Sequence, residues 1–263
     1  MLETVEAVRY IKDLTTGRNC PWLIDAERGD GEVVEVVAKL ASSECGPGGL
    51  VRETYGALLA ADLNLPIAEP FVVHFSQAFL DTLEQDKRQR VAAGSQAFGS
   101  RFIPNMLNVQ PHFAFPTTIR KRAAEVLAFD AGVVNSDRLV TKPNCLTDGV
   151  ELLMIDHELS LNLHGRGFLV QDPWNKGALA SMATAPSEHL FYRPVKENHP
   201  SLLYFSAFAG RLTTIQPSRI DEYSDAIPPE WDKDAISAGI NAFLKDLIAN
   251  AHGVATEVDA ILT

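Results

Sequence analysis

What most limits the fold of this chain is a change of period partway along it. Up to about residue 103 the apolar residues fall mostly in strand-length runs, and beyond about residue 110 mostly in helix-length ones. Residues 4–13 alternate loosely, PWLIDAE is a short strand, and RGDG ends in the hairpin dipeptide Asp30-Gly31 ahead of EVVEVVAKL. These segments read as a β-meander. SSECGPGGL follows, too rich in Gly and Pro to be an element. LVRETYGALLAADL then has helical spacing and stops before Asn64 and Pro66. IAEPFVVHF and GSQAFGSRFIP are further strand candidates, with a polar, helix-like stretch over 77–92 between them. Later come a long helix with an apolar stripe (TTIRKRAAEVLAFDAGVV), a buried strand (ELLMID), and helical signal in SRIDEYSDAIPPEW and DAISAGINAFLKDLIANA. A β-rich part followed by an α-rich part predicts an α+β chain of two lobes, residues 1–105 and 106–263.

Composition narrows the function. A chain of 263 residues with 46 % hydrophobic and 22 % charged residues is globular and can bury a sizeable core. Its net charge of −11 repels phosphate backbones, so no nucleic-acid partner is expected. A nucleotide remains compatible, since a bound metal and a few local cations offset its charge. Cys20, Cys45 and Cys145 are odd in number and widely spaced, which fits a reducing compartment. MLETVEAVRYIKDL has acids where a signal peptide needs a basic region, and no run approaches the ~20 apolar residues of a membrane span. A cytoplasmic location away from membranes is expected. The histidines show no HxxH or HxxxH spacing, and GxSxG, GxGxxG and GxxxxGK[ST] are all missing.

Several polar residues stand where chemistry is plausible. In EVVEVVAKL, Val34, Val36, Ala38 and Leu40 share the core face, and Lys39 points the other way with Val37 and Glu35. A lone strand lysine usually faces solvent, but a strand lysine is also the clamp on ATP phosphates in kinases. Glu53 has Leu50, Ala57 and Ala60 as helical neighbours, an apolar face on which a carboxylate needs a cation. A position near the helix N-terminus is the plainer explanation of the same acid. TTGRNCP contains Thr16, Gly17 and Arg18, whose hydroxyl, backbone N–H and guanidinium groups could cradle phosphate oxygens, or which simply form a hairpin loop. Asp137 lies in the polar turn NSDR, either as turn chemistry or as a proton acceptor. Asp156 ends an apolar strand, well placed to bind Mg²⁺, with Glu158 as a second metal neighbour.

Each motif alone is weak, and the order carries the information: Lys on a strand, Glu on the next helix, Asp-Arg after a long helix, then Asn, then an Asp closing a strand. In VVAKL, GGLVRETYGALLAADLNLPIAEPFVV, AFGSRFIP, FDAGVVNSDRLVTKPNCL and LLMIDHELSL the sequence resembles the HipA-like kinase family, a compact bacterial branch of the protein-kinase-like fold. The resemblance implies a β-rich N-lobe and a mainly helical C-lobe with ATP and Mg²⁺ between them. Lys39 would hold phosphates, Glu53 would align it, Asp137 would be the base, and Asn144 and Asp156 would hold the metal. Thr16, Gly17 and Arg18 would cover the phosphates, and the backbone near Phe102 and Ile103 would bond the adenine. Relatives in that family include toxins that phosphorylate serine on a protein, so a protein Ser or Thr acceptor and a possible antitoxin partner come with the resemblance. A small-molecule or lipid-head-group kinase and a nucleotide-binding pseudokinase module are the alternatives. Two departures stand out. Asn144 comes later than the Asp-x-x-x-x-Asn spacing of kinase catalytic loops, with Lys142 in that slot. The phosphate loop also lacks the family's serine-containing stretch.

Overall fold

The computed structural model describes residues 2–14, 19–110, 115–163, 171–181, 185–198 and 202–263. Strands β1 (Glu3–Asp13), β2 (Trp22–Glu27) and β3 (Val33–Leu40) form the expected antiparallel meander. β4 (Pro70–His74) and β5 (Gln96–Arg101) complete the sheet in the order β1-β2-β3-β5-β4, and β1 pairs in parallel with β4 to close it into a barrel. Alternation fills the inside: Val5, Trp22, Ile24, Val36, Phe71 and Val73 make one apolar core. Gly99 lets the wall close, since a Cβ there would lie 2.7 Å from a Val73 methyl and 2.8 Å from a Val36 methyl.

Between β3 and β4 runs helix α1 (Gly46–Asp62). It starts earlier than expected, because the Gly- and Pro-rich stretch after Leu40 supplies its first turn. A proline there costs nothing, since its missing N–H would have had no helical partner. The helix ends as the sequence suggests: Asn64 takes a left-handed φ of 54°, and the Leu65 N–H returns to the Ala60 carbonyl at 2.9 Å.

Two short helices, α2 (Gln77–Asp81) and α3 (Gln85–Arg88), occupy the polar stretch read as helix-like. After β5 the chain forms β6 (Leu107–Asn108), α4 (Thr117–Gly132), β7 (Cys145–Thr147) and β8 (Leu152–Met154). It continues with α5 (Tyr192–Lys196), α6 (Leu202–Leu212), α7 (Pro217–Asp225), α8 (Ile236–Ala249) and α9 (Ala251–Leu262). The chain is thus a mixed α+β structure, with its barrel strands first and most of its helices later. The apolar core does not divide at residue 105. Leu50, Tyr55 and Leu59 of α1 are buried in one cluster with α4, α6, α8 and α9, not in the barrel. This helix therefore ties the strand part to the helical part. Among the described residues no helix is long and apolar enough to cross a membrane.

β7 was not expected, and β8 is shorter than ELLMID suggests. They form a small hairpin turned by Asp148-Gly149, where Asp148 Oδ1 accepts the N–H groups of Val150 and Glu151 at 2.8 Å each. β6 flanks β7, giving the order β6-β7-β8.

Candidate active site

Lys39 lies near the end of β3 with its alternate neighbours turned into the barrel. Its side chain is only 11 % exposed and faces α1 and the segment after β8. Nζ donates to Glu53 Oε2 at 2.8 Å and Asp156 Oδ1 at 2.7 Å, and stands 3.5 Å from Glu158 Oε2. Burial works against the lysine's charge, but Glu53, Asp156 and Glu158 outweigh it and push its pKa above the ordinary value. Glu53, buried on the apolar face of α1, has the opposite balance. Desolvation would raise it, yet Lys39 and the His157 ring, whose Nδ1 lies 3.6 Å from Oε1, hold its pKa at about 2, and the His157 backbone N–H donates to Oε2 at 2.7 Å. Glu158 is pushed upward, first by burial and then by the charges of Asp156 and Glu53 against the relief from Lys39.

Gly56 on α1 explains how this segment comes so close. A Cβ at Gly56 would sit 2.6 Å from the Cβ of His157, so the bare helix surface lets His157 lie against it and brings its N–H to Glu53. Asn19, at the far end of the TTGRNCP loop, is buried and donates from Nδ2 to Glu158 Oε2, while its Oδ1 accepts the Cys45 N–H at 3.1 Å. Thr16, Gly17 and Arg18 lie outside the described residues.

The second half of the site is the loop after α4. Asp130, in the last turns of that helix, is buried and accepts from Arg138 Nε at 2.6 Å and Asn135 Nδ2 at 2.9 Å, with His189 Nε2 also 2.9 Å away. Burial raises Asp130 less than Arg138 and His189 lower it, so it stays ionised. Arg138 is fully buried and also donates to the backbone oxygens of Asn144 and Ile155. A buried guanidinium with these acceptors acts as a peg for the loop, because its charge is tolerable only while all of them stay in place.

That peg accounts for the late asparagine. Leu139 and Lys142 exchange backbone hydrogen bonds, N–H of each to O of the other at 2.9 and 3.1 Å. The loop therefore folds back on itself and takes up the additional length. Asn144, in a left-handed φ of 43° that asparagine tolerates well, then turns inward. Its Nδ2 donates to Asp137 Oδ2 at 2.8 Å and to the Asp137 carbonyl at 3.0 Å. Lys142 pairs with Asp137 and stands 3.7 Å from Asp156 Oδ2. Ile155 N–H donates to the Asn144 carbonyl at 3.1 Å, which sets Asp156, itself at a φ of 64°, beside the loop.

The fold thus draws Lys39, Glu53, Asp137, Asn144 and Asp156 into one linked set, together with Lys142 and Glu158. Carboxylate oxygens of Glu53, Asp156 and Glu158 lie within 4.8 Å of one another. The Asp156 and Glu158 carboxylates are the hard oxygen donors that Mg²⁺ prefers, and the Asn144 side chain, tied to Asp137, offers an amide oxygen of the same kind. The Lys39 ammonium stands among these carboxylates, so a divalent cation would have to share Asp156 with it. Phe102 and Ile103 follow β5 as expected, but the Phe102 N–H is taken by the Glu35 carbonyl at 2.8 Å. Any adenine contact there falls to the Phe102 carbonyl or to Ile103. Burial pushes the thiol pKa of Cys45 to about 11 and that of Cys145 to about 12, which disfavours thiolate chemistry at either.

Asn19, Asp130 and His189 went unread in the sequence. Asp130 had one signal, an acid within the apolar run VLAFDAGVV, which demands a buried cation just as Glu53 does. Asn19 and His189 had none, because their partners are 139 and 59 residues away.

Comparison with known proteins bears on the family and the fold. The family model for HipA-like kinase matches residues 8–251. A crystal structure of a Helicobacter pylori proinflammatory kinase, CtkA, is similar at a TM-score of 0.59 and 12 % identity, covering 96 % of this chain and 95 % of that one. At that identity the likeness speaks for the fold. No curated protein matches the chain.

Proposed function

This chain belongs to the HipA-like kinase family, and from that premise we propose that it is a two-lobed, Mg·ATP-dependent kinase that phosphorylates a protein Ser or Thr hydroxyl. The N-lobe would be residues 1–105 and the C-lobe 106–263, with α1 shared between their packing. The observation that carries the reading is the pairing of Asp137 with Lys142 and Asn144 beside the Lys39–Glu53–Asp156 cluster. Four functions of phosphoryl transfer then have a named group. The Asp137 carboxylate takes the proton of the attacking hydroxyl. Lys39, oriented by Glu53, exchanges Asp156 for phosphate oxygens when nucleotide enters. Asn144 and Asp156 would hold the magnesium ion, which when bound screens the phosphate charge. Lys142, beside the proton acceptor, faces the transferring group and adds positive charge where negative charge builds up. The backbone after β5, at the Phe102 carbonyl or Ile103, would receive the adenine, and Thr16, Gly17 and Arg18 would close over the phosphates. An antitoxin-type partner belongs to this reading only as an inheritance from the family.

Asn144 and Asp156 can be tested apart from Lys142. Asn144→Ala and Asp156→Ala should each remove the tightening of ATP binding by Mg²⁺, while Lys142→Ala should retain it and slow turnover only. Calorimetric titration of ATP with and without Mg²⁺ measures this, and Mg²⁺-dependent binding that survives in Asn144→Ala would take the metal role from that residue. The acceptor is tested by incubating the protein with γ-labelled ATP, Mg²⁺ and a cell lysate. Label should appear on a protein as phosphoserine or phosphothreonine. Label on a small molecule would replace the protein acceptor, and no transfer at all would refute the kinase assignment.

A further inference from the structure

Away from this site, the described surface carries a cavity of about 270 Å³ lined by Leu63, Asn64, Lys121, Arg122, Glu125 and Arg211. It lies where the C-terminal end of α1 meets α4 and α6. Leu63, directly after that helix, is ten residues beyond Glu53, roughly 15 Å at 1.5 Å per residue, so the cavity is separate from the Lys39 cluster. Its charge runs against the rest of the molecule. Three cations against one carboxylate leave a surplus of two positive charges, on a chain whose net charge is −11.

The cations are held in place. Glu125 is buried and accepts from Arg122 Nη1 at 3.0 Å on one oxygen and from Arg211 Nη2 at 2.9 Å on the other. Arg122 Nη1 also donates to the Asn64 carbonyl at 3.1 Å. Glu125 thus fixes two guanidiniums at the cavity and neutralises only one of them. Arg211 Nε–H is buried without a hydrogen-bond partner among the described residues. Lys121, which also lines the cavity, has its Nζ 5.9 Å from the Tyr204 ring centre.

We propose that this cavity is a binding site for a phosphate dianion, carried on a monoester or free. The surplus of two positive charges matches the charge of about −1.5 to −2 that such a group carries at neutral pH. Two guanidiniums and an ammonium supply the planar and the point donors that phosphate recognition uses. A cavity of this size, slightly below the usual range for drug-sized ligands, suits a small polar group better than a large apolar one. The dianion could be a phosphorylated side chain or free phosphate, since the recognising chemistry is shared.

The test is calorimetric titration of the wild-type chain with a short neutral phosphoserine peptide, its unphosphorylated twin and inorganic phosphate. The phosphorylated peptide or free phosphate should bind and the unphosphorylated twin should not. Lys121→Gln should weaken that binding about tenfold or more, since one charge-assisted hydrogen bond is lost. This variant leaves both Arg–Glu125 pairs intact, so its folding is not at issue. Arg211→Gln should weaken binding further, read alongside its thermal unfolding because it leaves Glu125 half-paired. A peptide that binds more tightly than free phosphate identifies a phosphoprotein as the source. Equal affinity identifies the free ion. Absence of phosphate-dependent binding, or binding that neither variant changes, overturns the proposal.

Discussion

Asp137→Asn should abolish phosphoryl transfer while nucleotide binding survives. The substituted side chain has the same shape and can still accept the hydrogen bond from Asn144 Nδ2, which spans 2.8 Å in the native loop. What it loses is basicity. An amide oxygen cannot take the proton of an attacking hydroxyl, and general-base catalysis is typically worth about 10²–10⁴-fold. Lys142 also loses its ion pair and has Asp156 Oδ2, at 3.7 Å, as the nearest alternative. That move adds a cation beside the carboxylate proposed to hold the metal, so a small loss of Mg²⁺ affinity should accompany the large loss of rate. The check is a pair of measurements on one preparation: single-turnover transfer from γ-labelled ATP, and ATP affinity by titration. Transfer at near the native rate would leave Asp137 as a turn residue only. Loss of ATP binding equal to the loss of rate would mean that the loop had collapsed, not that a base had been removed.

The residues of this site divide by how local their reasons are. Glu53 was legible as an exception within a regular period, and Lys39 by its place in the order of motifs once the period had set it on the outer face. Lys39 is a polar residue on the outer face of a strand whose inner face is uniformly apolar, and Glu53 is an acid on the apolar face of a helix. The barrel strands and long helices were legible for the same reason. β7 was not, because three residues give no period to read, and its pairing with β8 depends on a turn and on backbone bonds to Pro66 and Asn144. The start of α1 was missed because Gly and Pro signal a loop in general, although the first helical turn is where proline is welcome. The loop after α4 is the harder case. Asn144 looked misplaced by counting along the chain, and only the back-bonded turn at Leu139–Lys142 and the buried Arg138 return it to Asp137. Nothing in the sequence joins Arg138 to Asp130 and His189 as one network, since that network exists only once helix and loop have packed.

Lys39→Met should cut turnover by about two to three orders of magnitude, the usual cost of removing one donor from a charge-stabilising site. It should also destabilise the fold, and the two effects have different origins. Lys39 is the cation that offsets Glu53, Asp156 and Glu158, whose oxygens lie within 4.8 Å of one another. Without it, Glu53 and Glu158 are buried carboxylates facing like charge, and breaking such a pair from one side typically costs about 3–5 kcal/mol. Removing a carboxylate as well relieves part of that strain. Lys39→Met with Glu53→Gln should therefore unfold at a higher temperature than Lys39→Met alone, while its turnover stays as low. Glu53→Gln alone is milder, because Asp156 and Glu158 still hold the lysine. Losses in rate should be strongly non-additive, since the two residues act as one unit, and the stability cycle should show a coupling of the same origin. Thermal unfolding and single-turnover rates of the four proteins would decide it. Additive losses in both would mean that the 2.8 Å contact between Lys39 and Glu53 does no work. Recovery of rate together with stability would mean that Lys39 serves only to neutralise its neighbours and has no part in holding phosphate.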